Sequence, residues 1–502
     1  MDHFINFSLD WFSNIEVKIN KLDKILKKEK LRHKMNNLSQ STLLMLRDKN
    51  ILVLGIGLTG LSCARFLMAN DISFAVNDSR ENAIEDLAQF RQGHDKPKIT
   101  LGFWDQKLIA SADIILVSPG IDLATPEIQS AIKSDCLIWG DVELYCRLID
   151  TPILAVTGSN GKSTVVSLLS YLGKAIGRNV KSGGNIGLPV LDQLITGSDE
   201  DALVPELLVL ELSSFQLESL TSMNAIAATI LNISDDHLDR HLTFSNYQNI
   251  KQGIYQQCNI AVINRDDRAT YVKSDIKIKN NNILSFGSDS PEEGHFGLST
   301  INKQVTLMFG NKPLISIDQL PLAGIHNALN YLATLALGFT AGWSLTAMVE
   351  HLAGFTGLAH RCQRVNHDDG INWINDSKAT NVGATLAAIN GFSKILQPSE
   401  QLILIAGGEG KGANFSPLKE AITEHVNQLI TLGKDGNKIA SFSDSSIEVD
   451  SLEDAVRTAS RLAKVHDTVL LSPACASLDM FKNFAERGQV FINAVQQLKV
   501  NS

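Results

Sequence analysis

Residues 157–164 read Thr-Gly-Ser-Asn-Gly-Lys-Ser-Thr, directly after the apolar run Ile153–Val156 and directly before a helical apolar pattern, Thr164–Leu172. A strand, a glycine-rich turn and a helix in that order form the local plan of a phosphate-binding loop. Gly158 and Gly161 free backbone amides to point at an anion. Lys162 adds a point charge for the β- and γ-phosphates, Ser163 or Thr164 offers a hydroxyl to Mg²⁺, and the helix N-terminus adds its dipole. The usual pattern places its first glycine at 156, where this chain has Val156, so the loop is the shorter Gly-x-x-Gly-Lys-Ser-Thr. A strand that ends in such a loop belongs to a parallel sheet with helices on its faces. An unrelated glycine-rich turn is the competing reading.

Downstream, Glu211 follows the buried-strand run Leu207–Leu210, a place suited to a Mg²⁺ ligand or, equally, to a solvated strand-end carboxylate. Further strands are expected at Ala227–Leu231 and Ile260–Ile263, and a helix from near His326 to about Phe339. The segment Ser234-Asp-Asp-His-Leu-Asp-Arg-His241 puts His237 and His241 four apart, on one face if helical. A zinc pair is conceivable there, but the third ligand and the glutamate of HExxH are missing, so an acidic, His-bearing loop near a Mg-nucleotide is the simpler reading. Lys251 falls in an expected helix, Tyr247–Tyr255, where composition makes it a surface lysine.

Upstream, Gly55-Ile-Gly-Leu-Thr-Gly60 follows the strand Ile51–Leu54 and opens a helix through Leu61–Met68. Asp78 stands about 20 residues on, after the strand Ile72–Val76, in the dinucleotide-binding arrangement. Alone this suits a dehydrogenase, although the same geometry holds any pyrophosphate-linked nucleoside. A third glycine-rich strand end, Ala406-Gly-Gly-Glu-Gly-Lys-Gly412, presents amides and Lys411, suited to a carboxylate or simply to a surface loop. Strands are expected at Ile114–Val117, Asn372–Ile374, Leu402–Ala406, Leu429–Leu432 and Thr468–Leu471, with a capping-box helix start at Ser451 and Asp454.

The 502 residues suggest about three domains, with boundaries near 149 and 356. A net charge of −9 gives a nucleic-acid-binding role no support. Six scattered cysteines without a CxxC pair read as free thiols in a reducing compartment. No apolar run is long enough to span a bilayer and no secretory h-region is present, so a cytoplasmic protein is expected. Residues 1–46 differ from the rest: Phe12, Ile15, Ile19, Leu22 and Leu26 recur at helical spacing among Lys18, Lys21, Lys24, Lys27, Lys28 and Lys30. The stretch could lie on a membrane surface, but an extension outside the fold, with Met35 as the true start, is the preferred reading.

Together these motifs resemble the Mur ligases, most closely the D-glutamate-adding members, over residues 50–495. The most specific stretches are Gly324-Ile-His-Asn-Ala-Leu-Asn330, Trp373-Ile-Asn-Asp-Ser-Lys-Ala-Thr-Asn381 and Leu471-Ser-Pro-Ala-Cys-Ala-Ser-Leu-Asp479. That family has the shortened phosphate loop. The resemblance implies three α/β domains. A Rossmann-like domain at 47–148 would bind UDP, a P-loop ATPase-like domain at 149–355 would bind ATP, and a Rossmann-like domain at 356–502 would bind the amino acid. It implies a monomeric ligase that joins D-glutamate to UDP-N-acetylmuramoyl-L-alanine through an acyl phosphate, in peptidoglycan precursor synthesis. A sister ligase with another amino acid, or a folylpolyglutamate synthetase, is the alternative.

By that resemblance Gly158, Ser159, Asn160, Gly161, Lys162, Ser163, Thr164, Asn327, Asn330, Arg361 and Asp376 bind ATP. Ser163, Glu211, His237 and a carbamoylated Lys251 hold Mg²⁺, with two ions expected. Lys162, His237, Lys251 and Lys378 serve catalysis. Leu58, Thr59, Asp78, Ser79, Arg80, Gly120 and Asn185 meet the UDP substrate; Ser79 replaces a common threonine and keeps the hydroxyl. Thr380, Lys411, Ser477, the Leu478 amide and Phe484 hold D-glutamate, with Ser477 expected at a helix start.

Overall fold

The short apolar runs of the sequence become buried strands, and the longer one at Ile325–Thr340 becomes a buried helix. The computed structural model describes residues 38–83, 97–133, 135–195, 205–278, 282–322, 324–393 and 396–498. The lysine-rich stretch up to residue 37 lies outside them. The chain divides into two compact units: Met1–Ala155 with Asn179–Ala225, and Val156–Arg178 with Ile226–Ser502.

In the first unit, β1 (Ile51–Leu54), β2 (Phe74–Asp78), β3 (Lys98–Leu101), β4 (Ile114–Val117) and β5 (Leu137–Trp139) form a parallel sheet in the order β3-β2-β1-β4-β5. The order reverses beside β1, which opens a crevice at its C-terminal end, where ligands of such sheets bind. One face packs Leu52, Leu54, Ile115 and Val117 against Ile109 and Ile128. The expected helix from Leu61 starts earlier and runs Leu58–Ala69. A helix at Gln40–Arg47 joins this unit: Leu43 and Leu46 are buried, Ser39 N–H donates to Leu148 O at 2.8 Å, and Thr42 Oγ1 donates to Arg147 O at 2.8 Å. The boundary expected at 46/47 therefore falls at the end of a docked helix. The unit also holds the parallel pair β7 (Val180–Gly184) and β8 (Leu207–Glu211), reached from the first residues of β6 (Ile153–Thr157).

The second unit continues from the end of β6 with β9 (Ala225–Ile230), β10 (Cys258–Asn264) and β11 (Ile283–Phe286), in the order β11-β10-β9-β6. A feature the sequence reading missed is an antiparallel meander of β12 (Phe296–Ile301), β13 (Gln304–Phe309) and β14 (Lys312–Ser316). The remaining sheet joins β15 (Gln363–Val365), β16 (Asn372–Asn375), β17 (Leu402–Gly407), β18 (Gln428–Leu432), β19 (Ile447–Glu448) and β20 (Thr468–Leu471) in the order β15-β16-β20-β17-β18-β19. It is parallel except at β15. Helices cover both faces. Trp373, Ile403 and Val469 pack with Val456 and Phe491 on one side, and Leu404 and Leu470 pack with Ile389 and Ile422 on the other. At Ser451 the hydroxyl accepts the Asp454 N–H at 3.1 Å and starts the helix Leu452–Leu462.

Candidate active site

The phosphate loop is held by hydrogen bonds within the chain. Its backbone turns at Gly158 and Gly161, both with positive φ. A Cβ on Gly161 would sit 2.6 Å from Asn330 Oδ1, so only glycine fits there. Ser159 N–H donates to Asn232 O at 2.9 Å and Asn160 N–H to Asn232 Oδ1 at 2.8 Å. The hydroxyls of Ser159 and Tyr247 lie 3.2 Å apart, and Ser234 N–H donates to Ser159 Oγ at 3.0 Å. Lys162 opens the helix Lys162–Ala175, and its ammonium donates to Gly158 O at 2.7 Å and Ser159 O at 2.8 Å. Ser163 and Thr164 are buried in the first turn.

Lys251 overturns its compositional reading. Instead of a surface lysine it is 1% exposed, on the helix Phe244–Gln252. Its ammonium donates to Thr157 Oγ1 at 3.2 Å and to Gly158 O at 3.0 Å, and lies 4.7 Å from the Tyr247 ring centroid. The side chain covers its apolar stem and spends its charge on the phosphate loop. A buried ammonium needs such partners.

The two histidines part company. His237 is the left-handed N-cap of the four-residue helix Leu238–His241, is exposed, and has Nε2 3.8 Å from Asp236 Oδ2. His241 is buried against the Tyr247 ring, with centroids 5.3 Å apart. The shared helical face required for a zinc pair does not form, because the helix begins only after His237. Among the described residues no group of three or more His, Cys, Asp or Glu side chains is placed to hold a metal.

Several groups from later in the chain meet the loop. Asn327 and Asn330 sit on the helix Ile325–Thr340, with the Asn330 amide donating to Asn327 Oδ1 at 3.2 Å. Arg361 Nη2 donates to Ser163 Oγ at 2.9 Å. Asn381, which the sequence reading did not single out as a site residue, points its amide at Asp236 Oδ2 at 3.3 Å. Asp376 is buried where the Ser472 hydroxyl donates to it at 2.9 Å and the Cys362 N–H at 3.2 Å; burial pushes its carboxyl up to about 6.

The Lys378 ammonium lies 3.8 Å from the Phe484 ring centroid, and Thr380 N–H donates to Lys378 O at 2.8 Å. Lys411 is exposed, on a residue with φ +50°. Ser477 is buried and Leu478 is exposed. The expected helix at Ser477 is absent. The chain there makes a turn, with Phe481 N–H donating to Ser477 O at 2.8 Å, and the helix Phe484–Gln496 starts only where the Asn483 side chain caps it. The amides near Ser477 are thus turn amides and carry no helix dipole.

In the first unit the Gly55 turn is filled by its own chain. A Cβ on Gly60 would lie 2.0 Å from Gly55 O, which the Ser118 hydroxyl also reaches at 2.7 Å. Asp78 is buried at the strand end and accepts the Ile56 N–H at 2.9 Å and the Arg80 N–H and guanidinium at 2.7–2.9 Å. Burial raises its pKa, but Arg80 and the two backbone amides outweigh burial and hold it below the usual carboxylate range. Leu58 and Thr59 start the adjoining helix, and Leu58, Ser79, Arg80 and Gly120 are exposed around the turn. Asn185 is exposed and donates from Nδ2 to Glu211 Oε1 at 3.1 Å. Glu211 is buried at the end of β8, and its Oε2 finds no hydrogen-bond partner among the described residues.

Three family models match the chain in succession: Mur ligase MurD-like, N-terminal domain, at 49–140; Mur ligase middle domain at 156–338; and Mur ligase, glutamate ligase domain, at 360–475. The UDP-N-acetylmuramoylalanine--D-glutamate ligase of Colwellia psychrerythraea is 57% identical over 461 residues, 90% of this chain and 97% of that protein. Its namesake from Legionella pneumophila is 43% identical over 454 residues, 89% of this chain and 99% of the other. Among solved structures, the MurF ligase of Thermotoga maritima in complex with ADP superposes with a TM-score of 0.56 at 17% identity, over 90% of this chain and 96% of that one, a likeness of fold.

Proposed function

Since this chain belongs to the Mur ligase family, we propose that it is the ATP-dependent ligase that adds D-glutamate to UDP-N-acetylmuramoyl-L-alanine. The observation that carries the reading is the buried Lys251 ammonium against Thr157 and Gly158, read beside a relative of that name at 57% identity. We assign UDP recognition to 47–148, ATP to 149–355 and the amino acid to 356–502. The pathway is peptidoglycan precursor synthesis, and the enzyme acts as a cytoplasmic monomer.

The reaction transfers the γ-phosphoryl of ATP to the L-alanyl carboxylate, and the D-glutamate amine then displaces phosphate from the acyl phosphate. The charge that spreads over the transferring group needs fixed cations and amides. Lys162, the amides of 158–161 and Arg361 supply them. Asn327, Asn330 and Asp376 hold the rest of the nucleotide. On the family reading Ser163, Glu211, His237 and Lys251 would hold Mg²⁺; what supports this is that Glu211 is buried with one carboxylate oxygen left without a hydrogen-bond partner among the described residues. On the same family reading Lys251 would serve as a carbamate, its neutral amine adding to CO₂ and losing a proton. Bound there, two Mg²⁺ ions would neutralise phosphate charge. Lys378 lies by the reaction centre, and Thr380, Lys411, Ser477, the Leu478 amide and Phe484 receive D-glutamate. Asp78 and Arg80, with Leu58, Thr59, Ser79, Gly120 and Asn185, receive the UDP substrate.

The test is phosphate release by purified protein with components omitted in turn. Release should need UDP-N-acetylmuramoyl-L-alanine, D-glutamate, ATP and Mg²⁺ together; equal turnover with L-lysine or diaminopimelate would assign a sister activity instead.

A further inference from the structure

The loop that carries Lys411 is held in an unfavourable shape. Gly407 and Gly408 leave β17 with φ of +122° and +126°, and the turn Gly410–Ala413 closes with Ala413 N–H donating to Gly410 O at 2.9 Å. Its two central residues, Lys411 and Gly412, have φ of +50° and +78°. Positive φ at both centres suits glycine and asparagine, whereas a lysine there needs external support. One side is supported by the Ser477 loop, through Glu409 N–H to Ala476 O at 3.0 Å and Ala476 N–H to Glu409 O at 2.9 Å. The other side rests on a residue outside every role assigned above.

Asp435 is buried beyond the end of β18 and grips the loop twice. Its backbone N–H donates to Gly408 O at 2.9 Å, and its Oδ2 accepts the Gly410 N–H at 2.7 Å. Lys438 holds the other oxygen at 2.7 Å. No spare room exists: a Cβ on Gly410 would meet Asp435 Oδ2 at 3.2 Å and the Phe415 ring at 2.5 Å. We propose that Asp435 is the positioning residue that sets Lys411 for the amino-acid carboxylate, and so tunes affinity for that substrate while touching neither nucleotide nor acyl phosphate. The proposal rests on the assignment of Lys411 to D-glutamate.

The Lys438 ammonium and the Gly410 N–H keep the Asp435 carboxyl below its ordinary range, so it is charged throughout the pH range of an assay. Asp435→Ala should raise KM for D-glutamate about tenfold, the scale of one lost hydrogen bond, with KM for ATP and for the UDP substrate unchanged and kcat within about twofold. Asp435→Asn keeps an oxygen for Gly410 and should recover most of that loss; it also serves if the alanine variant does not fold. Lys411→Ala run in parallel separates the two claims. A raised D-glutamate KM in Lys411→Ala with wild-type values in both Asp435 variants overturns the positioning role alone. An unchanged D-glutamate KM in Lys411→Ala removes the site assignment and the inference with it. All three KM values rising together in the Asp435 variants would mark a general fold defect and also overturn the proposal.

Discussion

The turn at Gly55–Gly60 and the loop at Thr157–Thr164 share one local plan, a buried strand, a glycine-rich bend and a helix start, yet a carboxylate braces the first and ammonium groups brace the second. In the first, Asp78 places a carboxylate on the Ile56 amide, one of the groups a phosphate would use. In the second, Lys162 and Lys251 bring ammonium groups to the carbonyls of Gly158 and Ser159. Under the proposed function each bend serves a different nucleotide, and the charged side chain chooses the part received. A carboxylate accepts from hydroxyls and N–H groups and repels phosphate; a lysine pair does the reverse.

The largest effect should follow from removing charge at the second bend. Lys162→Met should lower ligation at least about a thousandfold while UDP-substrate binding, read by calorimetry, stays at the wild-type value. If UDP binding falls equally, the two bends are not functionally distinct. Lys251→Ala should cost about a hundred- to a thousandfold in phosphate release, and a short carboxylic acid should restore part of it. Full activity without rescue would remove the carbamate from the account. At the first bend, Asp78→Ala should raise KM for the UDP substrate about tenfold and leave the ATP KM alone; a shift in the ATP value instead would reverse the assignment.

The smallest expected effect compares Asp376 with Asp78 as acids. Asp78 is held low, so its charged form stabilises the fold at neutral pH, and that contribution is lost as pH falls through its native value. Asp376 is raised from 3.8 to about 6 by burial, so the folded protein binds more protons than the unfolded chain across that window. Stability must therefore drop as pH rises from about 4 to 6, and the penalty persists above it. Asp376→Asn should relieve it by on the order of 1–3 kcal/mol, visible as a melting temperature a few degrees above wild type at pH 7.5 and equal to it near pH 4. A variant melting below wild type at pH 7.5 would contradict this.

Much of the architecture could be read from residue order. The strands Ile114–Val117 and Thr468–Leu471 fall where their apolar runs predict, since a parallel strand covered on both faces has no other pattern. The meander of β12–β14 could not, because strands such as Gln304–Phe309 mix polar residues with a buried middle, and their antiparallel pairing depends on the turns between them rather than on apolar content. At the site, residues that act through the backbone were visible, as with the glycines of 158–161. Residues that act through burial were not. Lys251 reads as a solvated helix lysine until the fold buries it, and only family resemblance marked it beforehand. Ser477 erred the other way, because a Ser-Leu-Asp run suggests a cap while the Ala476 bridge to Glu409 holds the chain in a turn.

Under the proposed function the second bend delivers a phosphoryl group to a carboxylate. With the L-alanyl carboxylate of the UDP substrate labelled with ¹⁸O, one labelled oxygen per turnover should appear in the released phosphate. Phosphate free of label, with one labelled oxygen kept in the amide carbonyl and the other lost to water, would contradict it.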